Sequence, residues 1–206
     1  MSKLGKVFML DDDGIILDLY KEFFEAKGYD VFVTTNAYKF LLYAKEINPD
    51  VFILDVNMPT MNGWEVLQRL HQDNLLRDIP VIMLSISRDV DWALAKGAAH
   101  FLAKPLNIEE LDDIIEAYCL GNKHHDILLL ENFANLNSPF EQSIRKKQIP
   151  YFLVHDVRAA WRYLQKNLPR MVCVCYPDDD YEKIRKQLVF DRIVKVDSKQ
   201  SIEDIL

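Results

Sequence analysis

No stretch of this 206-residue chain approaches the roughly 20 apolar residues of a membrane-spanning helix. The opening residues, Met1-Ser2-Lys3-Leu4-Gly5-Lys6, lack the long apolar core of a secretory signal. A cytoplasmic protein is therefore expected, with no membrane partner. Cysteine is scarce: Cys119, Cys173 and Cys175 are the only three. Cys173 and Cys175 are two apart in an apparent strand and share a face. With no second pair to complete a zinc site, they read as buried free thiols. A surplus of positive charge is also missing. Twenty-five Lys and Arg stand against 32 Asp and Glu, a net charge of −7. That argues against nucleic acid as a partner, since a nucleic-acid surface needs a basic stripe.

Apolar material is plentiful, at half of all residues, enough to bury a sizeable core in one or two domains. It is organised in short runs, each followed by a polar residue. Asp11-Asp12-Asp13 follow Val7-Phe8-Met9-Leu10, and Asp55 follows Val51-Phe52-Ile53-Leu54. Ser85 follows Val81-Ile82-Met83-Leu84, and Lys104-Pro105 follow His100-Phe101-Leu102-Ala103. Four-residue apolar runs between amphipathic helices read as buried parallel strands. In an open parallel sheet, residues just past the strand ends meet at one crevice. That crevice would gather carboxylates, a hydroxyl and an ammonium, a set suited to a divalent cation and a phosphoryl group.

Five helices are expected between these strands. The first covers about 13–27, with Ile15, Ile16, Leu19 and Phe23 inward and Gly28 at its end. The second, about 36–47, starts at Asn36 and buries Ala37, Phe40, Leu41 and Ala44. The third, about 63–75, turns Val66, Leu67 and Leu70 inward. A short fourth covers about 88–96. The fifth, about 107–120, aligns Ile108, Leu111, Ile114, Ile115 and Tyr118. This alternation implies a parallel sheet covered on both faces.

The four strand-end motifs, in this order and spacing, resemble the receiver domain of two-component response regulators over about residues 5–120. The resemblance implies a doubly wound, flavodoxin-like (βα)5 fold. It implies that Asp55 is the phosphoacceptor. Asp12 would bind Mg2+ directly and Asp11 through water, with Asp55 also in the metal set and the Asn57 backbone carbonyl completing the shell. It further implies that Lys104, ahead of a cis Lys104-Pro105 peptide, supplies a cation to the phosphoryl oxygens. Ser85 would hydrogen-bond the phosphoryl group, and Phe101 would be the aromatic ring that moves with it. Asp13 reads as the start of the first helix. Pro59 and Gly63 would shape the loop after Asp55, Gly63 through a backbone conformation closed to other residues. Such a protein takes its phosphoryl group from a histidine kinase or histidine phosphotransfer protein. It is not otherwise an enzyme. Two departures matter: Ile86 stands where a small residue is common and would crowd the site, and the chain between Ser85 and Gly97 is about one helical turn short.

The second half repeats the first at an offset of 120. Val7-Phe8-Met9-Leu10 falls on Ile127-Leu128-Leu129-Leu130. The second-helix stripe falls on Val157, Ala160, Trp161 and Leu164, and Val51–Leu54 on Met171–Val174. A second receiver-like unit is expected, shortened to (βα)4, with its last strand over about 192–196 and a terminal helix from Ser198. Whether this last pair stands for the fourth or the fifth unit is open. Its chemistry is replaced: Glu131 and Asn132 stand for Asp11 and Asp12, and Cys175 for Asp55. Asp178, Asp179 and Asp180 read as helix-capping and dipole residues. Arg145-Lys146-Lys147, the one basic cluster, reads as a helix surface.

The expected organisation is a phospho-accepting receiver at 1–121 and a degenerate, truncated receiver-like domain at 122–206. Signalling would proceed by altered binding to a downstream protein. A homodimer through the second domain is expected, because a missing strand–helix unit leaves an edge open. The alternatives are a DNA-binding regulator with an atypical output domain and a phosphate sink without output.

Overall fold

Each apolar run forms a buried strand. The chain is described from a computed structural model covering residues 4–86, 97–120, 125–131, 138–188, 190–197, 200–202 and 205. It divides into two compact units, Met1–Asn122 and Lys123–Leu206.

In the first unit, β1 (Lys6–Leu10), β2 (Asp30–Thr34), β3 (Val51–Asp55), β4 (Val81–Ser85) and β5 (His100–Ala103) form one sheet of order β2-β1-β3-β4-β5. Every pairing is parallel. This is the doubly wound arrangement expected from the alternating pattern. The helices are α1 (Gly14–Lys27), α2 (Ala37–Ile47), α3 (Gly63–Gln72) and α4 (Ile108–Cys119). The short helix expected at about 88–96 lies outside the described residues.

Local chemistry fixes the helix ends. The Asp13 carboxylate accepts from the Ile15 and Ile16 amides and caps α1. Gly28 closes α1 in the left-handed region, with φ of 101°. Asn36 caps α2 through the Lys39 amide. In α2, Ala37, Phe40 and Ala44 are buried, and Phe40 stacks on Phe8 with centroids 4.2 Å apart. In α3, Val66, Leu67 and Leu70 are buried as expected.

The α1 stripe is corrected. Its buried residues are Leu17 and Phe24, while Ile15 is 82% and Leu19 61% exposed. Apolar residues occupy more than one face of α1, so their spacing alone does not say which face meets the sheet.

In the second unit, β6 (Ile127–Glu131), β7 (Tyr151–Val154), β8 (Met171–Cys175) and β9 (Ile193–Lys195) form a parallel sheet of order β7-β6-β8-β9. Its helices are α5 (Pro139–Lys146), α6 (Val157–Leu164) and α7 (Asp178–Gln187). The 120-residue offset is kept in the pairing itself. Val7 pairs with Val31 and Val51, and Ile127 pairs with Tyr151 and Met171. The caps repeat as well: Asn36 precedes α2, and Asp156 precedes α6. The left-handed residue after α1, Gly28, has its counterpart in Gln148, with φ of 54°. The last strand lies beside β8, the place that β4 takes beside β3, so by position it is the fourth strand. No fifth strand joins this sheet among the described residues. Most of the terminal helix lies outside them.

All three cysteines are free and buried. No described helix is long and apolar enough to cross a membrane.

Candidate functional site

The parallel pairing brings the polar residues at the C-terminal strand ends of the first sheet together. Leu10 pairs with Leu54, which sets Asp11 beside Asp55. Asp55 pairs with Leu84, and Ser85 with Ala103. The Lys104 amide donates to the Ser85 carbonyl at 2.7 Å, which carries the β4–β5 pairing one residue past the strand. The Lys104–Pro105 peptide is cis.

Carboxylate oxygens of Asp11, Asp12 and Asp55 lie within 4.8 Å of one another. Asp11 and Asp55 are buried, and Asp12 is exposed at the mouth. The Lys104 ammonium donates to Asp11 Oδ2 at 2.8 Å and stands 2.8 Å from Asp55 Oδ1. The other Asp11 oxygen accepts from the Asp13 amide at 3.0 Å. Burial raises the Asp55 pKa above its ordinary value, opposed by the hydrogen bond and charge of Lys104. Burial works against the Lys104 charge too, but its hydrogen bonds to Asp11 and Asp55 prevail and its pKa is raised.

Three carboxylates against one ammonium leave two negative charges when all are ionised. The donors are all oxygen. Such a set fits a small, hard divalent cation that keeps some of its waters. Asp12, Asn57, Asn62 and Trp64 line an open depression of about 590 Å3 at this end of the sheet. There is room for a phosphoryl group. Asn57 is exposed, and its backbone hydrogen-bonds Asp55.

Ser85 is buried at the end of β4. Phe101 is half-buried and lies parallel to Trp64, with centroids 6.4 Å apart. Ile86, expected to crowd the site, is 72% exposed.

The reading of Gly63 is corrected. Its φ is not in the left-handed region. A Cβ there would lie 2.3 Å from the Asp55 carbonyl oxygen and 3.0 Å from its carbon. Glycine is required by close backbone approach, and the Gly63 amide donates to the Val56 carbonyl at 3.0 Å. Tyr20 is an addition the sequence did not suggest. Its phenol is raised chiefly by burial and senses Lys104, Asp11 and Asp55. The signal was its place seven residues after Asp13, on the same side of α1.

A second acidic group, Asp112, Asp113 and Glu116, lies on α4. Lys27 already engages Asp112 at 2.5 Å.

At the equivalent end of the second sheet, Cys175, Tyr176, Asp178, Lys195 and Asp197 line an open depression of about 550 Å3 that, among the described residues, lacks the acidic cluster of the first. Glu131 is fully buried at the end of β6, opposite Cys175. Neither of its oxygens has a well-formed hydrogen bond among the described residues. Burial raises its carboxyl to about 7. Asn132 lies outside the described residues. Asp178, Asp179 and Asp180 form the first turn of α7, where acidic charge suits the helix dipole. None of them caps it, because Pro177 holds the cap position. Lys195 pairs with Asp178. In α5, Arg145 is bound to buried Glu141 at 2.8 and 3.0 Å, so the basic cluster is partly neutralised.

Comparison with known proteins agrees with this geometry. The response regulator receiver domain matches residues 7–116. The DNA-binding dual master transcriptional regulator RpaA of Synechocystis is 30% identical over 199 residues, spanning 88% of this chain and 83% of that protein. The polar-differentiation response regulator DivK of Brucella anthropi is 29% identical over 115 residues, 54% of this chain and 94% of that protein. Among solved structures, the receiver domain of a signal transduction histidine kinase from Syntrophus aciditrophicus is 30% identical. It superposes with a TM-score of 0.53 over 58% of this chain and 92% of that one. The chemotaxis response regulator CheY4 of Vibrio cholerae is 28% identical, with a TM-score of 0.51 over 55% and 97%.

Proposed function

Because this chain belongs to the response regulator receiver family of two-component signalling, we propose that it accepts a phosphoryl group on Asp55 and signals by altered protein binding. The donor is a histidine kinase or histidine phosphotransfer protein. The observation that carries the reading is the gathering of Asp11, Asp12, Asp55 and Lys104 at one end of the first sheet.

An ionised Asp55 needs no general base to act as nucleophile. A P–O bond forms to its carboxylate as the P–N bond to the donor histidine breaks. Asp12, Asp11 and the Asn57 carbonyl would hold Mg2+ beside it. Bound magnesium offsets the repulsion between the anionic phosphoryl group and the carboxylate. Lys104 adds a cation that pairs with phosphoryl oxygens, and Ser85 donates its hydroxyl. Phe101 then moves with Ser85, and the change reaches a partner. Ile15 and Leu19, both exposed on α1 past the acidic cluster, suit contact with the donor. The second unit, whose Glu131 and Cys175 offer no comparable site, serves as output or dock and pairs with a second copy. The protein works in the cytoplasm.

The metal assignment has a direct test. Asp12→Ala should weaken Mg2+ binding about tenfold or more, the scale of one lost charge-assisted contact. Asn57→Ala should leave it within about twofold, since only its backbone is used. Tryptophan fluorescence can follow the titration, because Trp64 lines the depression. Equal losses in the two variants would contradict the division of roles.

A DNA-binding reading has one observation in its favour: the RpaA alignment spans most of this chain. Salt-dependent binding to duplex DNA would support it. The parallel sheet of the second unit and the net charge of −7 favour a protein partner. A very short phosphoryl lifetime with no partner would instead indicate a phosphate sink.

A further inference from the structure

The first sheet leaves one edge open away from the acidic site. β2 pairs with β1 on one side, and no strand lies against its other edge among the described residues. The Asp30 amide donates toward β1, to Gly5 O at 2.8 Å. By the alternation of a strand, Val31 and Val33 direct their N–H and C=O groups outward. A cleft of about 650 Å3 lies along this edge, lined by Val31, Phe32 and Val33 of β2, Lys21 of α1, and Lys39 and Tyr43 of α2. Lys6 adds a third cation, and Glu46 is the one acid in the lining among the described residues, although Glu25 stands 3.9 Å from the Lys21 ammonium. Tyr38 and Leu42, each adjacent in sequence to a lining residue of α2, are exposed.

An open edge strand is a template for an added strand. Its charge says which strand. Three lysines in a chain of net charge −7 are a local reversal of sign. They oppose a second copy at this edge, since the copy would bring the same cations. We propose that this cleft binds an extended, acidic segment of a partner protein, which adds to β2 as an edge strand. Its backbone would pair with Val31 and Val33. Acidic side chains would meet Lys21 and Lys39, and alternate apolar side chains would rest on Phe32 and Tyr43. This site is separate from Asp55, so it stands or falls independently of phosphoryl acceptance.

The test uses the full, unphosphorylated chain and a fluorescein-labelled peptide of alternating valine and glutamate, followed by anisotropy. Saturable binding is expected, with little binding of the valine–lysine counterpart. Lys21→Glu combined with Lys39→Glu should weaken it about tenfold or more. Val33→Pro, which removes an outward N–H at an edge position that tolerates proline, should weaken it as strongly. Far-UV circular dichroism and the urea midpoint report that each variant is folded. Absence of saturable binding overturns the proposal. So does binding that ignores both the charge reversal and Val33→Pro, or a dimer of this chain that Val33→Pro dissolves.

Discussion

Gly63→Ala is expected to destabilise the first unit by about 1–3 kcal/mol and to slow phosphorylation together with it. The new Cβ would meet the Asp55 carbonyl oxygen at 2.3 Å, well inside van der Waals contact. Met83 Cε, at 3.0 Å, can swing away, but a peptide carbonyl in the middle of a parallel sheet cannot. Asp55 is held there by pairing with Leu84, and the Val56 amide donates to the Leu84 carbonyl at 2.9 Å. The start of α3 or the end of β3 must therefore shift. Because the displaced carbonyl belongs to Asp55, stability and phosphoryl acceptance should fall in one variant. Urea unfolding and the phosphorylation rate check it. A variant with unchanged midpoint and rate would show that the close approach has slack.

Glu131→Gln should change how the second unit responds to pH. The Glu131 carboxyl is pushed up to about 7 by burial, opposed by Ser138, with added repulsion from Glu141 and a smaller opposing contribution from Cys175. A carboxylate with a raised pKa favours folding at low pH. That contribution is present below its ordinary value of 4.5 and is lost as pH rises through about 7. The full displacement is worth about 3 kcal/mol. His155, whose Nδ1 lies 3.0 Å from the Glu131 carbonyl, acts in the opposite direction. Burial lowers it to about 4, so its contribution is lost as pH falls from 6.5 toward that value. Comparing variant with parent cancels the histidine. The variant should gain about 2 to 3 kcal/mol on the parent between pH 5 and pH 8, since a small part of the displacement is already lost below pH 5. A constant difference across that range would mean that Glu131 is not neutral inside the fold.

The strand ends were legible because each apolar run is short, buried on both faces and followed at once by polar residues. Parallel pairing then leaves few places for Asp11, Asp55, Ser85 and Lys104 except the C-terminal end of the sheet. The second unit was legible for a similar reason. An offset of 120 in sequence became an offset of 120 in register, seen where Ile127 repeats the pairing of Val7. The burial of α1 was not legible, since Leu17 and Phe24 compete with Ile15 and Leu19 and only the sheet decides between them. Nor was the reason for Gly63. A sequence shows a glycine but not the carbonyl that approaches it. The burial of Glu131 was hidden as well: its identity as an acid in a degenerate site suggested lost chemistry, while its complete burial raises its carboxyl to about 7.

The account rests on Asp55 as the phosphoacceptor. Intact-mass measurement of the full chain with a small phosphodonor and magnesium tests this most directly, followed by mapping of the labelled peptide. The account predicts one added phosphoryl group, on Asp55, that is absent from Asp55→Asn and from the parent without magnesium. Equal labelling of the parent and Asp55→Asn, on a peptide away from the strand ends of the first sheet, would contradict it.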